Sequence, residues 1–297
     1  MEAMNGSKQF DEANAAYFNG SLPKFGTQSS TLVSASRYLN SAALRDVTAQ
    51  EMLRRNGADI TPTAFIAESA GLLSELEDWP RIHALFEEEK ARLPLFREFC
   101  EDRRMAPTAE QELRDARPGT LRALLYDFVV VSGYDLTFGK PARELQTEIE
   151  LFHKKRTLSH DIEHMLTGFD TDCAGEVALA TANTRAFYAY FQPELAAFLD
   201  RLPNFLGAAK MVRSNLYYPE VVKANNDALD MGAAAGRNWK CPLFLLPYCD
   251  LLDWQVQDIR EEYGIRNLPP KGLWTWTIAA YEDPRIDESE RQVDAAA

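Results

Sequence analysis

The sequence predicts an all-α fold with a single helical domain over residues 31–266. Three observations carry that reading. Apolar residues recur at helical spacing through long stretches, alternating strand patterns are missing, and proline and glycine stand where helices begin and stop. Residues 1–30 are polar, with Asn5-Gly6-Ser7 and Gly26-Thr-Gln-Ser-Ser30, and read as a flexible arm. Pro118-Gly119-Thr120 opens a stripe of Leu121, Leu124, Leu125, Phe128 and Val131 that closes at Gly133. Val129-Val130-Val131 is the one tempting strand, and helix signals frame it on both sides. A second helix runs from Leu145 to Leu166 and closes at Gly168. The next, from Glu176 to Leu199, crosses Pro193, where a break or kink is expected. A further helix is expected from Leu243 to Tyr263, ending at Gly264. Residues 267–297 read as an extended tail, whose end from Glu282 carries six acids against two arginines.

Length and charge narrow the function classes. A chain of 297 residues is long enough to bury a sizeable core, and 46% hydrophobic against 26% charged residues is the balance of a globular protein. A net charge of −13 argues against nucleic acid as a partner, because phosphate binding needs a basic surface. No run approaches the roughly 18 apolar residues that span a bilayer. Cys100, Cys173, Cys241 and Cys249 are scattered without a Cys-x-x-Cys, which fits a reducing compartment. The amino terminus lacks a basic end followed by an apolar stretch, so a cytoplasmic location is expected.

Three of the four histidines fall between positions 153 and 164. At about 100° per residue, His160, Asp161 and His164 share one face of a helix, with Gly168 one turn on to admit a neighbouring element. Ile162 and Leu166 point the opposite way, into a core, while Glu163 stands beside the face and off its centre. Glu176 follows the turn-like stretch 168–175 at the head of the next helix, and an antiparallel return brings its carboxylate back toward the two imidazoles. Two imidazoles with carboxylates suit zinc, iron or manganese. Other motifs share these letters. His160-x-x-Glu163-His164 fits the inverted zinc-protease pattern, with Glu163 as the base. The His160-Asp161 doublet fits metal phosphohydrolases, which would draw on His83 or His153. Asp170 and Asp172 shape the intervening turn, and Cys173 stands in that connection as a further thiol.

Ser159-His-Asp-Ile-Glu-His-Met-Leu-Thr-Gly168 with Gly175-Glu176 resembles the ubiquinone-biosynthesis family of the fourth coenzyme Q assembly protein, whose signature is His-Asp-x-x-His-x11-Glu. Pro118-Gly-Thr-Leu121, Ala228-Leu-Asp-Met-Gly-Ala-Ala-Ala-Gly236, Trp239-Lys-Cys-Pro-Leu243 and Leu252-to-Gly264 resemble the family's flanking blocks. The resemblance implies one divalent metal ion, zinc first and iron or manganese next, held by His160, Asp161, His164 and Glu176. It also implies a hydrophobic tunnel for a polyprenyl tail beside that site. The implied activity is oxidative decarboxylation at ring carbon C1 of a prenylated hydroxybenzoate, with a non-catalytic lipid-binding scaffold as the alternative and a metallohydrolase behind it. Implied partners are other ubiquinone-biosynthesis proteins, a second copy of the chain as a homodimer, and the inner-membrane surface, contacted peripherally. Candidate tunnel walls are Phe187, Tyr188, Tyr190, Phe191 and Leu243–Leu246, and Lys155 and Arg156 are candidates to hold the substrate carboxylate.

Overall fold

A computed structural model describes residues 35–55, 65–107, 109–133 and 147–281, and the protein is all-α. Among the described residues no β-strand occurs; one isolated bridge joins Thr120 and Gln255. In chain order the helices are α1 (Arg37–Asn40), α2 (Ala42–Leu53), α3 (Ile66–Glu75), α4 (Trp79–Arg92), α5 (Pro94–Glu101), α6 (Glu110–Leu113) and α7 (Leu121–Tyr126). Then come a π-helical turn (Asp127–Val131), α8 (Glu148–Thr167), α9 (Cys173–Tyr190), α10 (Pro193–Tyr217) and α11 (Pro219–Gly236). A 3-10 turn (Leu243–Leu245), α12 (Tyr248–Leu251), α13 (Val256–Tyr263) and α14 (Trp276–Tyr281) complete the series. The chain divides into two compact units, Met1–Arg45 and Asp46–Ala297. In the first, Ser36 caps α1 through its side chain, and Arg45 donates to the Leu39 carbonyl. The second unit carries everything described below.

Local chemistry explains where the central helices stop. α8 opens on a capping box in which Thr147 accepts from the Glu150 amide while the Glu150 carboxylate accepts from the Thr147 amide. It closes at Gly168, whose φ of 69° is the left-handed conformation that glycine adopts without a Cβ penalty. α9 ends at Tyr190, and Pro193 is the first residue of α10, so the expected break is complete. Val129–Val131 lie in the π-helical turn that continues α7, with the Ser132 amide donating to the Asp127 carbonyl.

Two expectations are corrected. The single helix expected from Leu243 to Tyr263 is three short pieces, because Pro247 has no amide to continue the first and the chain turns again at Trp254-Gln255 before α13. Gly264 does end α13 in the left-handed conformation. Residues 267–281 are not extended: Trp274 and Thr277 are buried, and α14 packs against α9 and α11. The arm at 1–30 and the acidic stretch at 282–297 lie outside the described residues.

Among the described residues the interior holds two large apolar clusters and a small third one of Tyr218 and Val221. One joins Ile162, Leu166, Val177, Ala178, Ala182, Ala228, Ala235, Leu243 and Trp274. The other is built on phenylalanines, with Phe86, Phe96, Phe99, Phe152, Phe187, Phe191 and Phe244 meeting mostly edge to face at 5.0–6.3 Å between ring centres. α9 and α11 approach closely through glycine. A Cβ on Gly232 would meet the Ala178 carbonyl oxygen, and one on Gly236 the Ala182 carbonyl oxygen, each at 2.2 Å. Gly175 is as tight against the Asp170 carbonyl. Among the described residues no helix is long and apolar enough to cross a membrane.

Candidate metal centre

The site forms where the last two turns of α8 meet the first turn of α9. His160 and His164 lie one turn apart on α8, with Ile162 and Leu166 fully buried on the opposite face. The chain reverses through residues 168–172, and Asp172 caps α9 by accepting from the Gly175 amide at 2.8 Å. Asp170 accepts from the Gly272 amide, so both aspartates shape the turn. Glu176 then faces back across the hairpin.

Three donor atoms converge. His164 Nε2 lies 3.2 Å from His160 Nε2 and 3.4 Å from Glu176 Oε1, and His160 Nε2 lies 3.5 Å from Glu176 Oε2. Ligands at about 2.0–2.1 Å from a tetrahedral ion stand about 3.3 Å apart, so the observed spacing is that of a metal donor set. His164 Nδ1 is 2.7 Å from the Phe169 carbonyl oxygen. A carbonyl only accepts, so Nδ1 carries the hydrogen and Nε2 presents its lone pair to the cluster. Arg260 on α13 donates to the Leu166 carbonyl at the end of α8 and fixes that end of the helix.

Burial pushes the Glu176 carboxyl up, but the Lys210 cation and the two imidazoles overcome it and hold the group well below the usual range. Burial opposes charge on His160, yet the hydrogen bond and charge of Glu176 raise its imidazole to about 9. His160, His164 and Glu176 have ligand atoms within 4.8 Å of one another. Asp161 stands outside that trio. It is half-buried, and burial raises its carboxyl while the nearby His160 and His164 lower it.

Other expected residues fall elsewhere. Lys155 donates to the Phe99 and Asp102 carbonyls and lies over the Phe99 ring, so its amine is spent on the end of α5. Arg156 donates to the Leu199 carbonyl and stacks on Phe187 and Phe244. Neither is brought to the cluster. Phe187 and Phe191 are core residues of the phenylalanine cluster, Tyr190 is half-buried against it, and Tyr188 is exposed. Phe244, Leu245 and Leu246 do line a cavity of about 460 Å³, together with Phe99, Leu158 and Ile162. That cavity opens on the back of α8, opposite the imidazoles. Glu163 also turns away: it is buried and accepts from Asn183 and Ser159. Cys173 donates to Asn225 rather than joining the donors. Gly168 serves as a helix cap, and the glycines that permit close approach are Gly175, Gly232 and Gly236.

Sequence reasoning missed three supports of the site: the Phe169 carbonyl, Arg260 and Lys210. The first follows from the cap at Gly168, while nothing in the letters around Arg260 or Lys210 marks them.

No protein-family model matches the chain, and no curated protein does. Among solved structures it is similar to a crystal structure from Nostoc punctiforme PCC 73102, provisionally assigned as a ubiquinone biosynthesis protein. The two are 23% identical over 69% of this chain and 95% of that one, with a TM-score of 0.48.

Proposed function

We propose that the chain acts in ubiquinone biosynthesis as a metal-dependent oxidative decarboxylase of a prenylated hydroxybenzoate. The observation that supports this most is the convergence of His160 Nε2, His164 Nε2 and a Glu176 oxygen at the spacing of a metal donor set. The reaction class comes from the motif His160-Asp161-x-x-His164-x11-Glu176 and the family it resembles. His160, His164 and Glu176 would hold one divalent ion, zinc first among the candidates; Asp161 is the fourth ligand that the motif implies, and it stands outside the trio. A bound ion would supply Lewis-acid polarisation of the ring's carboxylate or phenolic oxygen.

The protein's own contributions follow from its geometry. Phe169 keeps the His164 hydrogen on Nδ1 and so keeps Nε2 available. Glu176 stays ionised at neutral pH and carries the negative charge that a dication needs. The buried back of α8 and the glycine contact of α9 with α11 hold the donors in place. The ring carboxylate leaves as carbon dioxide and a hydroxyl from water takes its place, while the two electrons released pass to dioxygen, which leaves as hydrogen peroxide.

A second reading, a lipid-binding scaffold without turnover, is favoured by the 460 Å³ cavity, which has an apolar wall of Phe99, Leu158, Ile162 and Phe244 and charged groups that include Lys155 and Arg104, and which lies behind α8 rather than at the imidazoles. One experiment separates the two. Metal-loaded protein is incubated with a short-chain prenyl hydroxybenzoate in air, and carbon dioxide and hydroquinone are followed. Metal-dependent product that disappears in Glu176→Ala supports the enzyme. Lipid binding with no turnover under zinc, iron or manganese refutes it in favour of the scaffold.

A further inference from the structure

We propose that Lys210 is the anion-holding residue of this centre, taking the carboxylate of a ligand that binds at His160, His164 and Glu176. The inference rests on the metal reading above and assigns a residue outside the sequence motif.

Two ties set Lys210 near the level of Glu176, one directly between α9 and α10 and one through Asn225 of α11. Thr184 of α9 donates to Asp200 of α10 at 2.7 Å. Farther along, Cys173 at the head of α9 donates to Asn225, which donates to Ser214 of α10 at 3.0 Å. The order of these ties makes α9 and α10 antiparallel. At 1.5 Å per residue, Glu176 lies about 12 Å from the Thr184 level and Lys210 about 15 Å from the Asp200 level in the same direction. The second tie gives the same result from the other end, because Lys210 is one turn before Ser214 and Glu176 just under one turn after Cys173. Rotation agrees as well. At 100° per residue each side chain is turned about 80° from the line joining the helices, and antiparallel travel turns both to the same side. The field of Lys210 on the Glu176 carboxylate is consistent with this placement.

Lys210 is also available. It is half-buried, and among the described residues it makes no hydrogen bond or ion pair. Its neighbour one turn on, Arg213, is buried and spent on Glu51. Lys155 and Arg156 are spent on backbone carbonyls, as described.

Charge balance shows why such a residue matters. A dication held by His160, His164 and Glu176 would keep one net positive charge, and Lys210 adds a second beside it, with N–H donors from which a carboxylate can accept, so an anionic ligand is favoured over its neutral analogue. Glu163 does not disturb this balance, because Arg156 lies close enough to offset it.

The test uses the full chain loaded with cobalt(II), whose visible spectrum reports the metal, and 4-hydroxybenzoate as the probe. Lys210→Ala should take up cobalt with the wild-type spectrum yet bind 4-hydroxybenzoate about tenfold to a hundredfold more weakly. Lys210→Arg should restore most of that affinity. 4-Hydroxybenzyl alcohol, the same ring without the charge, should bind both proteins alike. Equal binding of 4-hydroxybenzoate by wild type and Lys210→Ala overturns the role of Lys210 alone, as does equal weakening for the charged and neutral probes. Failure of the wild-type chain to take up cobalt overturns the metal centre, and this role with it.

Discussion

Gly232→Ala sets two well-known effects against each other. Helix propensity favours alanine over glycine inside a helix by about 1 kcal/mol, and Gly232 lies inside α11. The added Cβ would lie 2.2 Å from the Ala178 carbonyl oxygen, where contacts under 3.0 Å essentially never occur. The partner atom is backbone on α9, so the two helices must separate by about 1 Å. Overpacking of this kind costs about 3 kcal/mol at a backbone contact, so the net effect is a loss of about 2 kcal/mol. For a chain of this size that lowers Tm by about 3–4 °C. Ala178 is two residues beyond Glu176, so the shift also carries a ligand away from the imidazoles and should weaken zinc about tenfold or more. The control is Gly71→Ala in α3, where a Cβ meets nothing within 4 Å and Tm should rise. Thermal melts with zinc titration decide the matter. A Gly232→Ala protein as stable as Gly71→Ala, with unchanged zinc affinity, would refute the reasoning.

Other outcomes follow from the same geometry. His164→Ala or Glu176→Ala should empty the metal centre while Glu163→Gln keeps about one equivalent, measured by elemental analysis of purified protein. Arg213→Ala should cost about 1–3 kcal/mol in denaturant unfolding, because it removes one of the two guanidinium partners of the buried Glu51 and leaves Arg54 at 3.8 Å as the other. Tyr248 is buried with its hydroxyl on the Leu243 carbonyl, and burial raises its phenol well above 10. The unfolded phenol ionises first, so this contribution is whole below pH 10 and is lost as pH climbs above it; Tyr248→Phe should show a smaller fall in Tm between pH 9 and 11 than wild type.

Much of the fold was legible because its stop signals act locally. Gly168, Pro193 and Gly264 end helices through their own backbone preferences, whatever surrounds them. The imidazole pair was legible for the same reason, since one helical turn fixes it. Pro247 gave a local signal that the apolar run around it masked. Trp274 could not be placed from the sequence, because its burial depends on where residues 267–281 return in space. Lys155 and Arg156 precede the motif in sequence but spend their cations on α5 and on Leu199, partners that only the packed structure supplies. Lys210 acts on Glu176 by charge across the pairing of α9 with α10, a long-range relation with no periodicity to announce it.

The eleven residues between His164 and Glu176 have a consequence for how the protein folds. They comprise the end of α8, the turn at 168–172 and the start of α9, so all three donors sit within residues 160–176. Closing so short a loop costs little chain entropy, whereas the contact of α9 with α11 spans more than fifty residues. A metal ion bound there would therefore have its partner as soon as one hairpin forms. It would act as a nucleus on which the later helices assemble, and zinc present during refolding should speed recovery of the native state, whereas zinc added afterwards should not.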